Sequence, residues 1–314
     1  MLGGRILKTL RTFPRLSRYV LILILSSILF ISGCDSSPSN PSATNSGADK
    51  LTIVTSFYPM YIMSLNVTAD IPGIELVNLT GPQTGCLHDY QLSPNDVKTL
   101  QKADIFIVNG AGTESFLDKA VKQQQNMQIV TATQGMTLLK DAGQTEPNPH
   151  VWVSIAGAIQ EVKNISSQLA ALDPSHASLY RKNSETYIAK LDNLRQEMHT
   201  QLDSLPNHNM VSFHEAFPYF AQEFNLKIVA VVEREPGSEP SAAELANTIE
   251  IVRKSKVKAL FIEPQYPPGA AQIIANDTGA RVFTLDPAVS GPNTPDAYLD
   301  IMRKNLATLS EALR

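Results

Sequence analysis

The sequence predicts an α/β fold with two lobes, each a mostly parallel four-stranded sheet flanked by helices, joined by one long rigid helix. From Leu51 onward, short apolar runs of strand length alternate with helix-length segments. The alternation occurs four times in each half, and residues 154–205 between the halves carry no strand pattern. Buried parallel strands read as near-continuous apolar runs and are connected by helices, so this rhythm favours two parallel sheets.

The strands are predicted from eight runs rich in β-branched and other apolar residues. In the first half they are LTIVTSF, IELVNLT, ADIFIVNG and MQIVTAT, and in the second HNMVSF, LKIVAVVE, VKALFIEP and ARVFTLD.

Residues 174–206 predict the long helix, because Pro174 suits a helix start and Pro206 a stop. Its apolar residues recur broadly at helical spacing: Leu179, Ile188, Leu191, Leu194, Met198, Leu202 and Leu205. A helix of about 30 residues is about 45 Å long, more than one lobe needs, so we interpret it as the connection between lobes. The alternative is two ordinary helices of a single domain.

The N-terminal segment has the pattern of an export signal. Five basic residues and no acid precede the apolar run YVLILILSSILFIS, which is shorter than the roughly 20 residues of a membrane span. Residues 31–34 resemble a bacterial lipobox, which implies a signal peptide over 1–33 and lipidation of Cys34; an ordinary signal peptide or a short anchor helix is the alternative. Residues 34–49 are rich in Ser, Pro and Asn and predict a flexible tether. The predicted lobes are then 50–173 and 207–314.

Charge and cysteine content exclude some classes of protein. Removing residues 1–33 takes five of the 26 basic residues and none of the 30 acidic ones, which moves the net charge from −4 to about −9. Such an acidic chain lacks the basic footprint of a nucleic-acid-binding protein. With Cys34 lipidated, Cys86 has no partner, so no intrachain disulfide is expected.

The six histidines fall into two groups. His176, His199 and His208 lie among polar residues and are predicted to be surface residues. The other three, together with one aspartate, lie in loops or at strand ends: His88, His150, His214 and Asp286. In open α/β sheets ligands bind beyond the carboxyl ends of strands. Three imidazoles and a carboxylate would suit a tetrahedral Zn²⁺ site, although a histidine that ends a strand can equally cap a helix or bond a carbonyl.

Several motifs resemble those of a known family. They are TSFYPMY, LHDYQLSPNDVKTLQKADIFIVNGAG, NPHVW, SFHEAFPYFAQEFNL, EPGSEPSAAELA and VFTLDP, in this order from Leu51 to the end of the chain. The chain is similar to the metal-binding lipoproteins of bacterial ABC transporters for zinc and manganese, the cluster A-I solute-binding proteins. The resemblance implies two lobes on a rigid helix, with a metal buried at their interface.

The resemblance also implies that His88, His150, His214 and Asp286 are the metal ligands. Manganese-type members usually have a carboxylate at the position of His214, so this set favours Zn²⁺, with Mn²⁺ as the alternative. Two further side chains are secondary candidates: Cys86 could lend a thiolate or be a small buried residue, and Glu215 is expected beside the ligands or at the surface. The family usually has Leu-Asp-Pro after the NPHVW motif, whereas this chain has residues 153–155 as Val-Ser-Ile, and no His-rich loop precedes that motif.

The function implied is capture of Zn²⁺ and its delivery to an ABC permease and its ATPase, by a lipid-anchored monomer on the extracytoplasmic face of the plasma membrane. A manganese-type member or a metal-containing surface adhesin is the alternative. A zinc hydrolase is disfavoured, because a fourth protein ligand would displace the reactive water and neither HExxH nor G-x-S-x-G occurs. We therefore expect a binding protein and not an enzyme.

Overall fold

In the part of the chain that the structure describes, eight strands form two parallel four-stranded sheets, as the sequence predicts. The computed structural model describes residues 50–81, 87, 90–122, 124, 126–140, 145–232 and 240–314. Each predicted run contains one strand. The strands are β1 (Leu51–Thr55), β2 (Ile74–Asn78), β3 (Ile105–Val108), β4 (Gln128–Thr131), β5 (Asn209–Ser212), β6 (Lys227–Val231), β7 (Ala259–Ile262) and β8 (Arg281–Thr284).

The two sheets have equivalent strand orders, β2-β1-β3-β4 and β6-β5-β7-β8, and every neighbouring pair is parallel. In the second sheet β7 lies between β5 and β8, so the residues that follow these three strands emerge side by side. Ligand sites of open parallel sheets lie at this carboxyl edge.

Helices connect and cover the strands. They are α1 (Tyr58–Val67), α2 (Pro94–Leu100), α3 (Asp118–Lys122), α4 (Ile155–Leu172), α5 (Ala177–Leu202), α6 (Pro218–Glu223), α7 (Ala242–Ser255), α8 (Gly269–Thr278) and α9 (Ala297–Ala312). Short 3₁₀ turns cover Ser115–Leu117, Val151–Val153 and Pro174–His176. Among the described residues, no helix is both long and apolar enough to cross a membrane.

The long helix is confirmed, with two differences in detail. The turn Pro174–His176 leads into α5, which ends at Leu202 rather than near Pro206. The residue before a proline is disfavoured in helical conformation, so Leu205 cannot continue the helix. The predicted apolar stripe was wrong at Leu179, which is 37% exposed, whereas its neighbour Tyr180 is fully buried.

Helix α5 contacts helices that cover each of the two sheets. It packs on α4 and α1, which cover the first sheet, and on α9, which covers the second. One continuous hydrophobic core contains residues of both halves, including Trp152 from the first and Tyr298 and Leu285 from the second. A shared core of this kind opposes a wide hinge motion between the sheets, because such a motion would expose apolar surface.

The chain divides into residues 1–46 and 47–314. The predicted signal peptide 1–33, Cys34 and the tether 34–49 lie outside the described residues. The boundaries 50–173, 174–206 and 207–314 stay predictions.

Candidate metal centre

His150 lies in a proline-rich loop, directly before the 3₁₀ turn Val151–Val153, and is 2% exposed. Its backbone N–H donates to Asn148 Oδ1 at 3.0 Å, and its Nδ1 lies 3.1 Å from the same oxygen. Asn148 Nδ2 donates to the Glu215 carbonyl at 2.8 Å, which fixes the direction of the amide. Because an amide oxygen can only accept, Nδ1 of His150 is the donor, and Nε2 is the ring atom that could ligate a metal.

His214 follows the end of β5 and is 1% exposed. Its Nδ1 lies 2.7 Å from Oε1 of Glu263, a residue that directly follows β7 and is equally buried. A carboxylate accepts hydrogen bonds, so Nδ1 of His214 donates, and Nε2 is the ring atom that could ligate a metal. A histidine held this way by a carboxylate is typical of metal sites in proteins, where the partner fixes the ring and raises its basicity.

The two imidazoles are neighbours. Their ring centroids are 4.7 Å apart and the rings are nearly perpendicular, at 89°. The centroid of the Trp152 ring lies 5.2 Å from that of His150 and 5.0 Å from that of Phe57, so aromatic side chains pack beside the two imidazoles. His150 also borders a partly open cavity of about 260 Å³, whose lining includes the carboxylate-bearing residue Glu146.

Asp286 follows β8 at the same edge of the second sheet. Asn305 of α9 holds its backbone at both ends, accepting from Asp286 N at 2.9 Å and donating to Asp286 O at 2.7 Å. Asp286 Oδ1 accepts the Ala288 N–H at 2.8 Å. Burial raises the pKa of Asp286; the Ala288 hydrogen bond opposes this rise, and the nearby Glu263 adds to it. A cation bound at this carboxylate would favour its charged form.

Trp152 ties the segment of His150 to that of Asp286. Its indole Nε1 donates to the Pro287 carbonyl at 2.9 Å, and the Tyr298 hydroxyl donates to the Trp152 carbonyl at 2.8 Å. Pro287 is the residue next to Asp286, so this bond fixes the two segments relative to each other.

The predicted ligand set stays a prediction. The structure brings His150 and His214 together, whereas His88 and Cys86 lie outside the described residues. Within the described ranges, three or more His, Cys, Asp or Glu side chains do not converge in a group that could hold a metal ion. Glu215 is partly buried, and its carbonyl accepts from Asn148.

The other three histidines, which were predicted to be surface residues, are partly exposed, and each has a hydrogen-bond partner. His176 Nδ1 bonds Asp173, His199 Nδ1 bonds Asp203, and His208 Nδ1 bonds the Asn225 carbonyl.

Sequence reasoning missed the two residues that hold the imidazoles, Asn148 and Glu263. Glu263 could have been found from its position, since it follows a buried strand at the edge where His214 and Asp286 were placed. Asn148 gave a weaker signal, being one of several polar residues in a proline-rich loop.

The chain matches a known protein family. The family model described as zinc-uptake complex component A, periplasmic, matches residues 53–312. The high-affinity zinc uptake system protein ZnuA of Bacillus subtilis (strain 168) is 32% identical over 313 residues, covering 93% of this chain and 97% of that protein. The zinc-binding lipoprotein AdcA of Streptococcus pneumoniae is 30% identical over 83% of this chain; the match covers 56% of AdcA, so the chain spans about half its length.

Solved structures share the fold. The laminin-binding protein Lmb of Streptococcus agalactiae, described as bifunctional with adhesin and metal-transporting activity, superposes with a TM-score of 0.76 at 29% identity. The superposition covers 84% of this chain and all of that one. The chain therefore belongs to the zinc-uptake complex component A family, the non-enzymatic metal-binding proteins that serve ABC uptake systems.

Proposed function

We propose that this protein captures one Zn²⁺ ion outside the cytoplasm and releases it to an ABC permease. The proposed ligands are Nε2 of His88, His150 and His214 and a carboxylate oxygen of Asp286. Four ligands of this kind complete the closed tetrahedral coordination that zinc takes in proteins, at about 2.0–2.2 Å from nitrogen or oxygen.

The observation that carries the proposal is the buried pair His150 and His214. Both rings have Nδ1 bonded to an acceptor, Asn148 Oδ1 in one case and Glu263 Oε1 in the other. These bonds orient both rings and support Nε2 as the ligating atom of each. The rings lie edge to face with centroids 4.7 Å apart, so one ion could contact both of them.

The chemistry of the set favours zinc over manganese. Imidazole nitrogen suits Zn²⁺, whereas Mn²⁺ prefers more oxygen ligands and a higher coordination number. Among the relatives, ZnuA and AdcA are named for zinc, and the manganese ABC transporter substrate-binding lipoprotein scaA of Streptococcus gordonii is 27% identical. Mn²⁺ is thus the second candidate ion.

The adhesin alternative has one observation in its favour, the similarity to Lmb. A deletion strain distinguishes the two roles. Uptake predicts that the strain fails to grow when zinc is limiting and recovers when zinc is added. A purely adhesive role predicts normal growth in both conditions.

We further propose that the chain is a monomer held at the extracytoplasmic face of the membrane by lipid on Cys34. AdcA is named a lipoprotein, which supports lipidation here. Metabolic labelling with a radioactive fatty acid tests this: the wild type should be labelled and Cys34→Ser should not. Labelling of both would refute attachment at Cys34.

The direct test of the binding function is metal titration of the purified protein with Zn²⁺ and with Mn²⁺, read by competition with a chromophoric chelator. We expect one zinc per chain and weaker manganese binding. The absence of saturable zinc binding would refute the proposal, and tighter manganese binding would make Mn²⁺ the cargo.

A further inference from the structure

Two hydrogen bonds join the loop that carries His150 to the segment that carries His214. The Asn148 side chain donates from Nδ2 to the Glu215 carbonyl at 2.8 Å. The Tyr219 hydroxyl donates to the Asn148 carbonyl, also at 2.8 Å. Both bonds join the first half of the chain to the second, close in sequence to the proposed ligands His150 and His214. We call Asn148 and Tyr219 the clasp.

The clasp is buried, and both of its residues make further hydrogen bonds to Leu139. Asn148 is 3% exposed and Tyr219 is 8% exposed. The Tyr219 oxygen also accepts the Leu139 N–H at 2.9 Å, and Asn148 N donates to the Leu139 carbonyl at 2.8 Å. The single hydroxyl proton of Tyr219 is therefore directed at Asn148, because its other neighbour, the Leu139 N–H, is a donor.

The side-chain amide of Asn148 hydrogen-bonds both to the proposed ligand His150 and to the segment that carries His214. Asn148 Oδ1 holds the His150 ring, and Asn148 Nδ2 holds the backbone next to His214. If the two segments separate, the amide moves away from either His150 or Glu215. Separation of the segments and disturbance of the His150 ring are thereby coupled through one side chain.

Other contacts restrain the segments of His150 and His214 and disfavour larger movements between them. His214 is held by Glu263, which is part of the second sheet's edge. The two sheets share a continuous core, and Trp152 bonds Pro287 across the halves. A local shift of the His150 loop breaks the clasp, whereas a movement of whole sheets would expose core surface, which costs much more free energy.

We propose that the clasp sets the rate at which bound metal leaves, and that release proceeds through rupture of the Asn148–Glu215 and Tyr219–Asn148 hydrogen bonds. The inference rests on the proposed function, since it assigns positioning residues to the same metal centre. The clasp residues do not touch the metal; they act by holding His150 and His214 at their bound separation.

The test is the rate of zinc dissociation from the full chain purified in detergent, measured by stopped flow with an excess of chelator. Tyr219→Phe removes the clasp bond to the Asn148 carbonyl, together with the bond that the hydroxyl accepts from Leu139 N–H, without altering any group bonded to His150. We expect dissociation to become about 5- to 10-fold faster, the value of one buried hydrogen bond. The association rate should be unchanged. Asn148→Ala removes the other bond and the support of His150, so its dissociation should be faster still.

Tyr180→Phe is the matched control. It also removes a tyrosine hydrogen bond from a buried ring, that to Asp173 at 2.9 Å, but at the start of α5. It should release zinc at the wild-type rate.

Wild-type dissociation rates in both clasp variants would overturn the inference, as would an equal acceleration in Tyr180→Phe. These outcomes presuppose that the wild type binds zinc. A wild type that binds neither zinc nor manganese overturns the proposed function itself, and the role of the clasp with it.

Discussion

Replacing Glu263 by glutamine tests the hydrogen bond that holds His214. Glu263 Oε1 lies 2.7 Å from His214 Nδ1, and Oε2 accepts from Gln265 Nε2 at 2.5 Å. Glu263→Gln keeps the shape and one acceptor for His214, but it removes the charge. It also places an NH₂ group against the NH₂ group of Gln265, so one of the two amides must rotate.

The expected magnitude follows from the burial of the pair. Both side chains are 1% exposed, so water screens their interaction little. A hydrogen bond to a charged group is worth about 1.5–3 kcal/mol against about 1 kcal/mol for a neutral one. The loss of about 1–2 kcal/mol corresponds to a zinc Kd raised about 10-fold, since about 1.4 kcal/mol is one decade. Glu263→Ala removes the acceptor as well and should approach the 100-fold end of the roughly 10- to 100-fold range for such partners.

The assay is competition with a fluorescent zinc chelator at constant pH. Glu311→Gln is the control, because Glu311 is 61% exposed and pairs with Arg281 at the surface, so its substitution should not change zinc affinity. Wild-type affinity in both Glu263 variants would refute the carboxylate–histidine–metal arrangement.

Three further outcomes are expected. In the same competition assay, His214→Ala should weaken zinc binding by orders of magnitude and His199→Ala should leave it unchanged; equal effects would contradict the ligand assignment. Trp152→Phe deletes the indole N–H that reaches the Pro287 carbonyl, and thermal or denaturant unfolding should show a loss of about 1–3 kcal/mol. Glu161 is fully buried, its carboxyl oxygens have no hydrogen bond to any described residue, and burial raises its pKa well above the usual 4.5. The folded state then binds a proton that the unfolded state loses above about pH 4.5, so the free energy of unfolding falls with rising pH, at up to about 1.4 kcal/mol per pH unit. Glu161→Gln removes this dependence. In urea unfolding, the free energy of unfolding of Glu161→Gln relative to that of the wild type should therefore be higher at pH 8 than at pH 5.

The strands could be predicted from the sequence because each is a short continuous apolar run, such as residues 259–262. Such a run is what a strand covered on both faces requires. The order of strands within each sheet was not predicted, since it depends on which side each connecting helix packs. Pro206 restricts Leu205 and so sets a limit on α5, but the helix ends earlier, at Leu202, and the sequence pattern did not predict that end.

The part of the candidate site that could be predicted is the part that follows directly after strands. His214 and Asp286 were placed at a carboxyl edge because the residues after parallel strands emerge together. The hydrogen-bond partners of His150 and His214 were not predicted. His214 and Glu263 are 49 residues apart in sequence and meet because β5 and β7 are neighbours in the second sheet. Asn148 and Tyr219 are 71 residues apart and meet for a similar reason, the packing of the two halves.

Anomalous X-ray scattering from crystals of the protein as isolated, collected at the zinc and manganese absorption edges, is the most direct test of the metal centre. We predict a single zinc peak within about 2.0–2.2 Å of Nε2 of His88, His150 and His214 and of an Asp286 oxygen. Imidazole rings and carboxylate that point in unrelated directions, or an organic molecule between them, would contradict zinc capture at this site.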